Sequence, residues 1–337
     1  MLSARITGSI LACVLAFGAA CGSAEIRDDG FGDADGGGGT LVPGPGPGAD
    51  GGPGLDQNPD SGPAPSNERC QKMDILFIVD DSASMQEEQS NLADNFPSFV
   101  EALNDFTTES GSQLDWRIAV TTTGKTAKVT TVTPAIGPFP EQRITTNEQG
   151  YDGKFRQEGC NTSRRWIERN DPSAVSDFEC LADVGTNGPS TEMPLEAMKL
   201  AFTARMDDGI NAGFLRPDAL LAVVILTDED DASNPAPEFE LRIDSYEGAP
   251  VADYAAAMTT VARGDGRWAT AVIAGETTCE SAFGKAVKAD RLKEFVGLAG
   301  ARGKFSSICS GNLTTSLAEA LATFDAACTD FPPPTVN

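Results

Sequence analysis

The chain contains no histidine, and this absence excludes several classes of function. Histidine is the commonest general base, a member of the serine-protease type of triad and a frequent zinc ligand. Triads that depend on histidine, cysteine nucleophiles paired with histidine and His-containing zinc sites are therefore excluded. Acid–base chemistry or metal binding in this chain must depend on other side chains, chiefly carboxylates and hydroxyls.

Positive charge is also scarce. The 337 residues include 25 Lys and Arg against 50 Asp and Glu, which gives a formal net charge of −25. Such a surface repels nucleic acid and anionic lipid and attracts cations. We therefore expect no nucleic-acid partner, and no membrane contact that depends on basic side chains.

Long apolar runs are missing, and the run at residues 6–17 is too short to span a bilayer. Arg5 precedes it and small residues follow at 18–20, which is the pattern of an export signal. Cys21 comes next and resembles the cysteine of a bacterial lipobox, although Gly18 stands where an aliphatic residue is usual. The resemblance implies cleavage before Cys21, acylation of its thiol and a lipid-anchored protein of the cell envelope (outer membrane or cell surface). A secreted protein is the alternative.

Residues 21–67 are rich in Gly, Pro and Asp and almost free of apolar side chains, a composition that cannot bury enough surface to fold. Their acids weakly resemble calcium-binding repeats but have no regular period. We interpret the segment as a disordered linker, and some 45 flexible residues reach roughly 35–40 Å. A single domain is then expected at residues 68–330, with a tail at 331–337.

Six cysteines lie in the expected domain, and an even number in an exported chain favours disulfides. Fifteen pairings are possible, and the sequence does not choose among them. The pairing that we favour closes the ends of the domain, staples one insertion and joins neighbouring strand ends: Cys70 with Cys328, Cys160 with Cys180, and Cys279 with Cys309.

Strand and helix patterns alternate along the domain. Apolar runs predict strands at 74–79, 116–122, 220–226, 268–274 and 304–308, with a further β segment near 128–132; helical spacing predicts helices at 86–103, 194–206, 252–263, 288–298 and 313–327. Residues 135–185 are polar and irregular, so we expect an insertion at about 135–190. The alternation predicts an α/β fold with a doubly wound, mostly parallel central sheet and helices on both faces.

The most informative stretch is the apolar run at 74–79, which ends abruptly in Asp80, Asp81, Ser82 and, two residues on, Ser84. In an open α/β sheet, ligands bind at the carboxyl ends of the strands, so these side chains are expected at the mouth of a crevice. Their oxygens suit a hard divalent cation. The simpler alternative is a helix cap, because Ser84 precedes an acidic first turn as in a capping box.

The spacing Asp80-x-Ser82-x-Ser84 after a strand resembles the first part of the metal-ion-dependent adhesion site of von Willebrand factor A-like domains. Asp228, directly after the apolar run at 220–226, resembles the third part. Thr186 in Gly-Thr-Asn resembles the second part, and Thr191 is the alternative. The resemblance implies a divalent cation bound through Ser82, Ser84 and the threonine, with Asp80 and Asp228 acting directly or through water.

On this resemblance the cation is most often Mg²⁺, with Mn²⁺ or Ca²⁺ as alternatives, and a partner protein completes its coordination with a carboxylate. We therefore expect a metal-dependent protein-binding or adhesion module rather than an enzyme. The alternatives are a metal-dependent hydrolase or phosphoryl-transfer enzyme, and an envelope scaffold with a degenerate metal site. The acids at 229–231 are either a second cation site or solvated loop charge, and we favour the latter.

Overall fold

The computed structural model describes residues 70–107, 111–246, 248–281, 284–310 and 313–333. The predicted export signal, Cys21 and the linker lie outside the described residues. In chain order, the described strands are β1 Lys72–Val79, β2 Asp115–Thr122, β3 Ala127–Thr133, β4 Gln142–Glu148, β5 Ile167–Glu168, β6 Leu220–Leu226, β7 Glu238–Arg242, β8 Trp268–Ala274, β9 Cys279–Ser281, β10 Gly284–Ala286 and β11 Gly303–Ser307. The described helices are α1 Gln86–Asp105, α2 Ala174–Ala182, α3 Pro194–Phe202, α4 Ala204–Asp207, α5 Val251–Val261, α6 Asp290–Ala299 and α7 Leu313–Thr329.

A six-stranded sheet in the order β11-β8-β6-β1-β2-β5 forms the centre of the domain. Each neighbouring pair is parallel except β2 and β5, which are antiparallel. Strands β6 and β8 are buried along their whole length, as expected for apolar runs covered on both faces. The prediction of a mixed α/β fold around a mostly parallel sheet is confirmed.

Alternate residues of the same strand enter different hydrophobic clusters. In β1, Phe77 packs in one cluster with side chains of α1, α2 and α7, while Ile78 packs in the other with side chains of α3, α5 and α6. Because side chains alternate across a strand, the central strand has apolar contacts on both of its faces. This arrangement makes β1 a rigid support for the residues that follow it.

The region predicted to be irregular contains regular structure, so that prediction was wrong. Strand β4 pairs antiparallel with β3, and β3 pairs parallel with β7, which gives a small three-stranded sheet. Helix α2 also lies in this region. Except for Glu148, the residues of β4 are exposed, so the strand lacks the apolar alternation that reveals a half-buried strand. The predicted helix at 194–206 is interrupted at Thr203, whose hydroxyl donates to Lys199 O at 2.6 Å.

Three disulfides join the pairs that the sequence analysis favoured: Cys70–Cys328, Cys160–Cys180 and Cys279–Cys309. Their presence indicates an oxidising, extracytoplasmic compartment. The folded part also continues past residue 330, because Phe331 is buried and the guanidinium of Arg267 lies 4.2 Å from the centre of its ring. Within the described parts of the chain, none of the helices has the length and apolar character needed to cross a membrane.

The disulfide between Cys70 and Cys328 closes a loop of 258 residues, whereas that between Cys160 and Cys180 closes one of 20. Loop-closure entropy grows with loop length, so the longer loop should contribute more stability. We expect the Cys70→Ser/Cys328→Ser protein to lose about 4–5 kcal/mol of unfolding free energy and the Cys160→Ser/Cys180→Ser protein about 3 kcal/mol. Chemical denaturation of the two double variants beside the parent measures both losses, and the reverse order would contradict the assignment.

Candidate metal centre

The centre is built where β1 and β6 end side by side. Val79 pairs with Leu226, and the next amide, Asp80 N, donates to Leu226 O at 3.0 Å. The Asp80 side chain is fully buried. Its Oδ1 accepts from Ser82 N at 2.8 Å, and its Oδ2 accepts from the hydroxyl of Thr227 at 2.6 Å. The first polar residues after the two strands therefore hold this carboxylate in place.

The two serines of the predicted site approach each other and the end of β6. The hydroxyl oxygens of Ser82 and Ser84 are 2.9 Å apart, and the Ser84 hydroxyl donates to Asp228 Oδ1 at 3.3 Å. The structure thus brings four of the predicted residues together. Helix α1 begins at Gln86 without a side-chain capping bond, so the capping-box alternative for Ser84 does not describe its contacts.

The two candidate threonines lie in different surroundings. The loop that carries Thr186 reaches the centre, because the amide of Gln89 bridges Asp80 O at 2.8 Å and Gly185 O at 2.6 Å. The Thr191 hydroxyl instead donates to Glu148 Oε1 at 2.9 Å. Thr191 is therefore engaged away from Asp80, whereas Thr186 is half-buried on the loop beside the centre.

Gly188 explains how closely that loop approaches. Its amide donates to Asp81 O at 2.7 Å, and a Cβ at this position would lie 2.3 Å from the Asp81 carboxyl. Such a contact is far closer than packed atoms allow, so any other residue here would displace the Asp81 carboxyl. The Gly-Thr-Asn-Gly segment is consequently packed against the residue that follows Asp80.

The interpretation of residues 229–231 as solvated loop charge was wrong for two of the three acids. Asp231 is buried, accepts from the hydroxyl of Ser233 at 2.5 Å and pairs with Arg291 at 3.0 Å. Asp230 accepts from the backbone amides of Arg291 and Leu292, at the start of α6. Both carboxylates therefore fix the loop after β6 to α6. The sequence suggested a solvated loop because Arg291, the partner of Asp231, lies 60 residues further along the chain.

Sequence reasoning missed Glu192. This side chain is 1% exposed, and its Oε2 accepts from the hydroxyl of Thr123. Nothing in the local sequence marks it, since a glutamate shortly before a proline-initiated helix is an ordinary surface residue. Only the path of the loop brings it beside Asp80.

Burial raises the pKa values of five carboxyls around Asp80, those of Asp80, Asp81, Glu192, Asp228 and Glu229. Desolvation raises the pKa of Asp80, and the Thr227 hydroxyl opposes that change. Burial and then the charge of Asp80 raise the pKa values of Asp81 and Asp228 to about 6. Burial, then Asp228 and Asp80, raise the pKa of Glu229 to about 7. These carboxyls are therefore costly to ionise together unless a cation is present.

The donor set fits a hard divalent cation. Two hydroxyls, the carboxylates of Asp80 and Asp228, and an oriented loop offer oxygen ligands of the kind that Mg²⁺ and Ca²⁺ accept. Buried carboxyl oxygens without a hydrogen-bond donor occur at Asp81 (Oδ1) and Glu192 (Oε1). A bound cation would satisfy such oxygens. Among the described residues, no three acidic or cysteine side chains converge as a ready-made metal cluster, so hydroxyl and water oxygens would have to supply the remaining ligands.

No protein-family model matches the sequence, and no curated protein matches it. Among solved structures, the chain is similar to proximal thread matrix protein 1 from the mussel byssus (15% identity, TM-score 0.40, covering 77% of this chain and 49% of that one). It is also similar to the pilus adhesin SpaC from Lactobacillus rhamnosus GG (8%, 0.41, 77% and 31%) and to the human COPII-coat protein Sec24c (9%, 0.40, 78% and 33%). The chain thus spans about half or less of each. TM-scores below 0.5 carry no argument about function.

The raised pKa values predict that the metal-free protein is more stable in mild acid. Asp74, Asp81 and Asp228 have folded pKa values of about 6 against an ordinary 3.8, and Glu229 has about 7 against 4.5. Between these limits the folded state binds more protons than the unfolded state, so stability falls as pH rises. With chelator present, we expect the melting temperature to be about 5 °C higher at pH 5 than at pH 8.

Differential scanning calorimetry at the two pH values measures this difference. The Glu229→Gln variant removes one of the four groups and should show a smaller difference than the parent. A melting temperature that falls on acidification would contradict the electrostatic account of the centre.

Proposed function

We propose that the protein is a divalent-metal-dependent protein-binding or adhesion module, loaded with Mg²⁺, that captures an acidic group of a partner protein. The observation that carries this proposal is the joining of Ser82, Ser84 and Asp228 at the ends of β1 and β6, beside buried Asp80. The proposal includes the doubly wound topology of von Willebrand factor A-like domains and a cation bound through Ser82, Ser84, Asp80 and Asp228. Mn²⁺ and Ca²⁺ are the alternative cations.

The ligand set supports the capture of a carboxylate. Hydroxyl ligands carry no charge, so a cation held by Ser82 and Ser84 keeps much of its positive charge. Ser84 is exposed, and an external group can therefore approach the cation from its side. A carboxylate from a partner both neutralises the ion and adds an oxygen ligand.

Binding is favoured over catalysis by the use of Asp230. A phosphoryl-transfer site built on the pair Asp228 and Asp230 would need both carboxylates at the reacting group. Both oxygens of Asp230 accept from the amide of Arg291, which leaves this carboxylate committed to the start of α6. We therefore propose that the protein is not an enzyme.

Removal of one serine hydroxyl should weaken cation binding without unfolding the domain. We expect Ser84→Ala to lower Mg²⁺ affinity at least tenfold, because the variant loses a proposed ligand and the contact with Asp228. Isothermal titration calorimetry of the full chain measures the affinity. Ser176→Ala, an exposed serine on α2, is the matched control and should bind Mg²⁺ as the parent does. Equal affinities for all three proteins would exclude Ser84 as a ligand.

We also propose that Cys21 carries the lipid that holds the protein at the cell envelope, the partner being reached through the following linker. The Cys21→Ala variant should then move from the membrane fraction to the soluble fraction. Fractionation of cells that express the parent or the variant, followed by immunoblotting, measures the shift. Retention of the variant in the membrane fraction would contradict lipid anchoring and favour another mode of attachment.

A further inference from the structure

Glu192 is a buried acid beside the candidate metal centre that the predicted ligand set does not include. The residue is 1% exposed, and its Oε2 accepts from the hydroxyl of Thr123. Its other oxygen, Oε1, is buried and receives no hydrogen-bond donor from the described residues. Asp80 lies near it, because Val79 pairs with Thr122, so that Asp80 and Thr123 follow the ends of two adjacent strands and Glu192 is bonded to Thr123. A buried acceptor without a donor therefore lies next to the carboxylate of the proposed metal site.

The backbone fixes Glu192 at this position from two sides. Its carbonyl accepts from Ala232 N at 2.7 Å, in the loop after β6, and the next amide, Met193 N, donates to Thr123 O at 3.2 Å, just after β2. Helix α3 begins at Pro194, directly behind it. The backbone of Glu192 is therefore fixed between the loop after β6 and the residue after β2, and its side chain is bonded to Thr123.

An unpaired buried carboxylate oxygen is costly. Loss of hydration without a replacement hydrogen bond is unfavourable, more so for a charged group than for a neutral one, and a second carboxylate alongside increases that cost. A cation between the two carboxylates removes both penalties, because it is attracted to each and occupies the vacant position. The Thr191 hydroxyl offers no equivalent, because it donates to Glu148 Oε1 at 2.9 Å.

We propose that Glu192 is itself a ligand of the divalent cation, with its Oε1 and the Asp80 carboxylate on two sides of the ion, in the role expected of Thr186 or Thr191. The inference rests on the proposed function, because it requires the cation. It also bears on how tightly that site binds the metal and the partner. A carboxylate in place of a hydroxyl leaves less positive charge on the ion, so the protein holds the metal more tightly and a partner carboxylate less tightly.

The test is calorimetric titration of Mg²⁺ into the full chain and four variants. Glu192→Gln keeps the shape and removes the charge, and we expect its Mg²⁺ affinity to fall about 100-fold. Glu192→Asp keeps the charge but withdraws the oxygen by one methylene, and we expect a loss of at least about tenfold. Glu229→Gln removes a charge of the same group from a residue that is not a proposed ligand, and should change the affinity by less than about threefold. Thr186→Ala should bind as the parent does.

The melting temperature of each chelated variant reports its fold. Glu192→Gln should melt at or above the parent temperature, because it removes a carboxylate from beside Asp80. Equal losses of Mg²⁺ affinity in Glu192→Gln and Glu229→Gln would mean that Glu192 acts only through its charge, and would overturn the proposal. Full affinity in Glu192→Asp, with a loss in Glu192→Gln, would overturn it for the same reason. Loss in Thr186→Ala with full affinity in Glu192→Gln would restore the threonine. If the parent binds no Mg²⁺, the proposed metal-dependent function fails. If the parent binds Mg²⁺ and Glu192→Gln binds it equally well, only the proposal for Glu192 fails.

Discussion

The burial of the Asp80 carboxylate at the ends of two central strands is the constraint on which the rest of the centre depends. A carboxylate without water must be held by donors, and two come from the immediate neighbourhood: the amide of Ser82 and the hydroxyl of Thr227. These bonds bring the loop after β1 and the loop after β6 into one unit. Asp81, Asp228, Glu229 and Glu192 then share the same small region, where each charge raises the cost of the others. The burial of one carboxylate thus raises the cost of ionising each acid around it.

Two cationic side chains near this edge of the sheet, Arg291 and Lys125, bind groups other than the Asp80 carboxylate. Arg291 pairs with Asp231, and the ammonium group of Lys125 donates to the carbonyls of Asn234 and Ala236. Both contacts shape the loop between β6 and β7. At this edge of the sheet, Asp230 and Asp231 are therefore satisfied by backbone amides, a hydroxyl and Arg291, whereas Asp80 accepts from two neutral donors, Ser82 N and the Thr227 hydroxyl. Burial and the charge of Asp80 raise the pKa of Asp81, and the charge of Arg156 partly opposes that change.

The sequence predicted the features that depend on neighbouring residues. Apolar runs located β1, β6 and β8, and the polar residues that follow β1 and β6 were expected at one edge because parallel strands end together. The disulfide pairing that we favoured also agreed, although the sequence does not choose among the fifteen pairings. Glu192 could not be predicted, because its approach to Asp80 depends on a loop that is anchored through backbone bonds to Thr123 and Ala232. Strand β4 was missed because its exposed, polar residues carry no period, and Asp231 was misjudged because its partner lies far away in sequence.

Strand β1 also gives the domain a mechanical axis. It runs from the neighbourhood of Cys70, which is cross-linked to α7, to Asp80 at the opposite edge, and it is paired with β2 on one side and β6 on the other. A pull applied between Cys70 and Asp80 would act along this strand, so the hydrogen bonds of both ladders would bear the load together in shear rather than opening one after another. The disulfide would carry part of that load into the last helix before it reached the sheet. The same strand that positions the candidate metal centre is thus the part of the molecule best placed to resist tension.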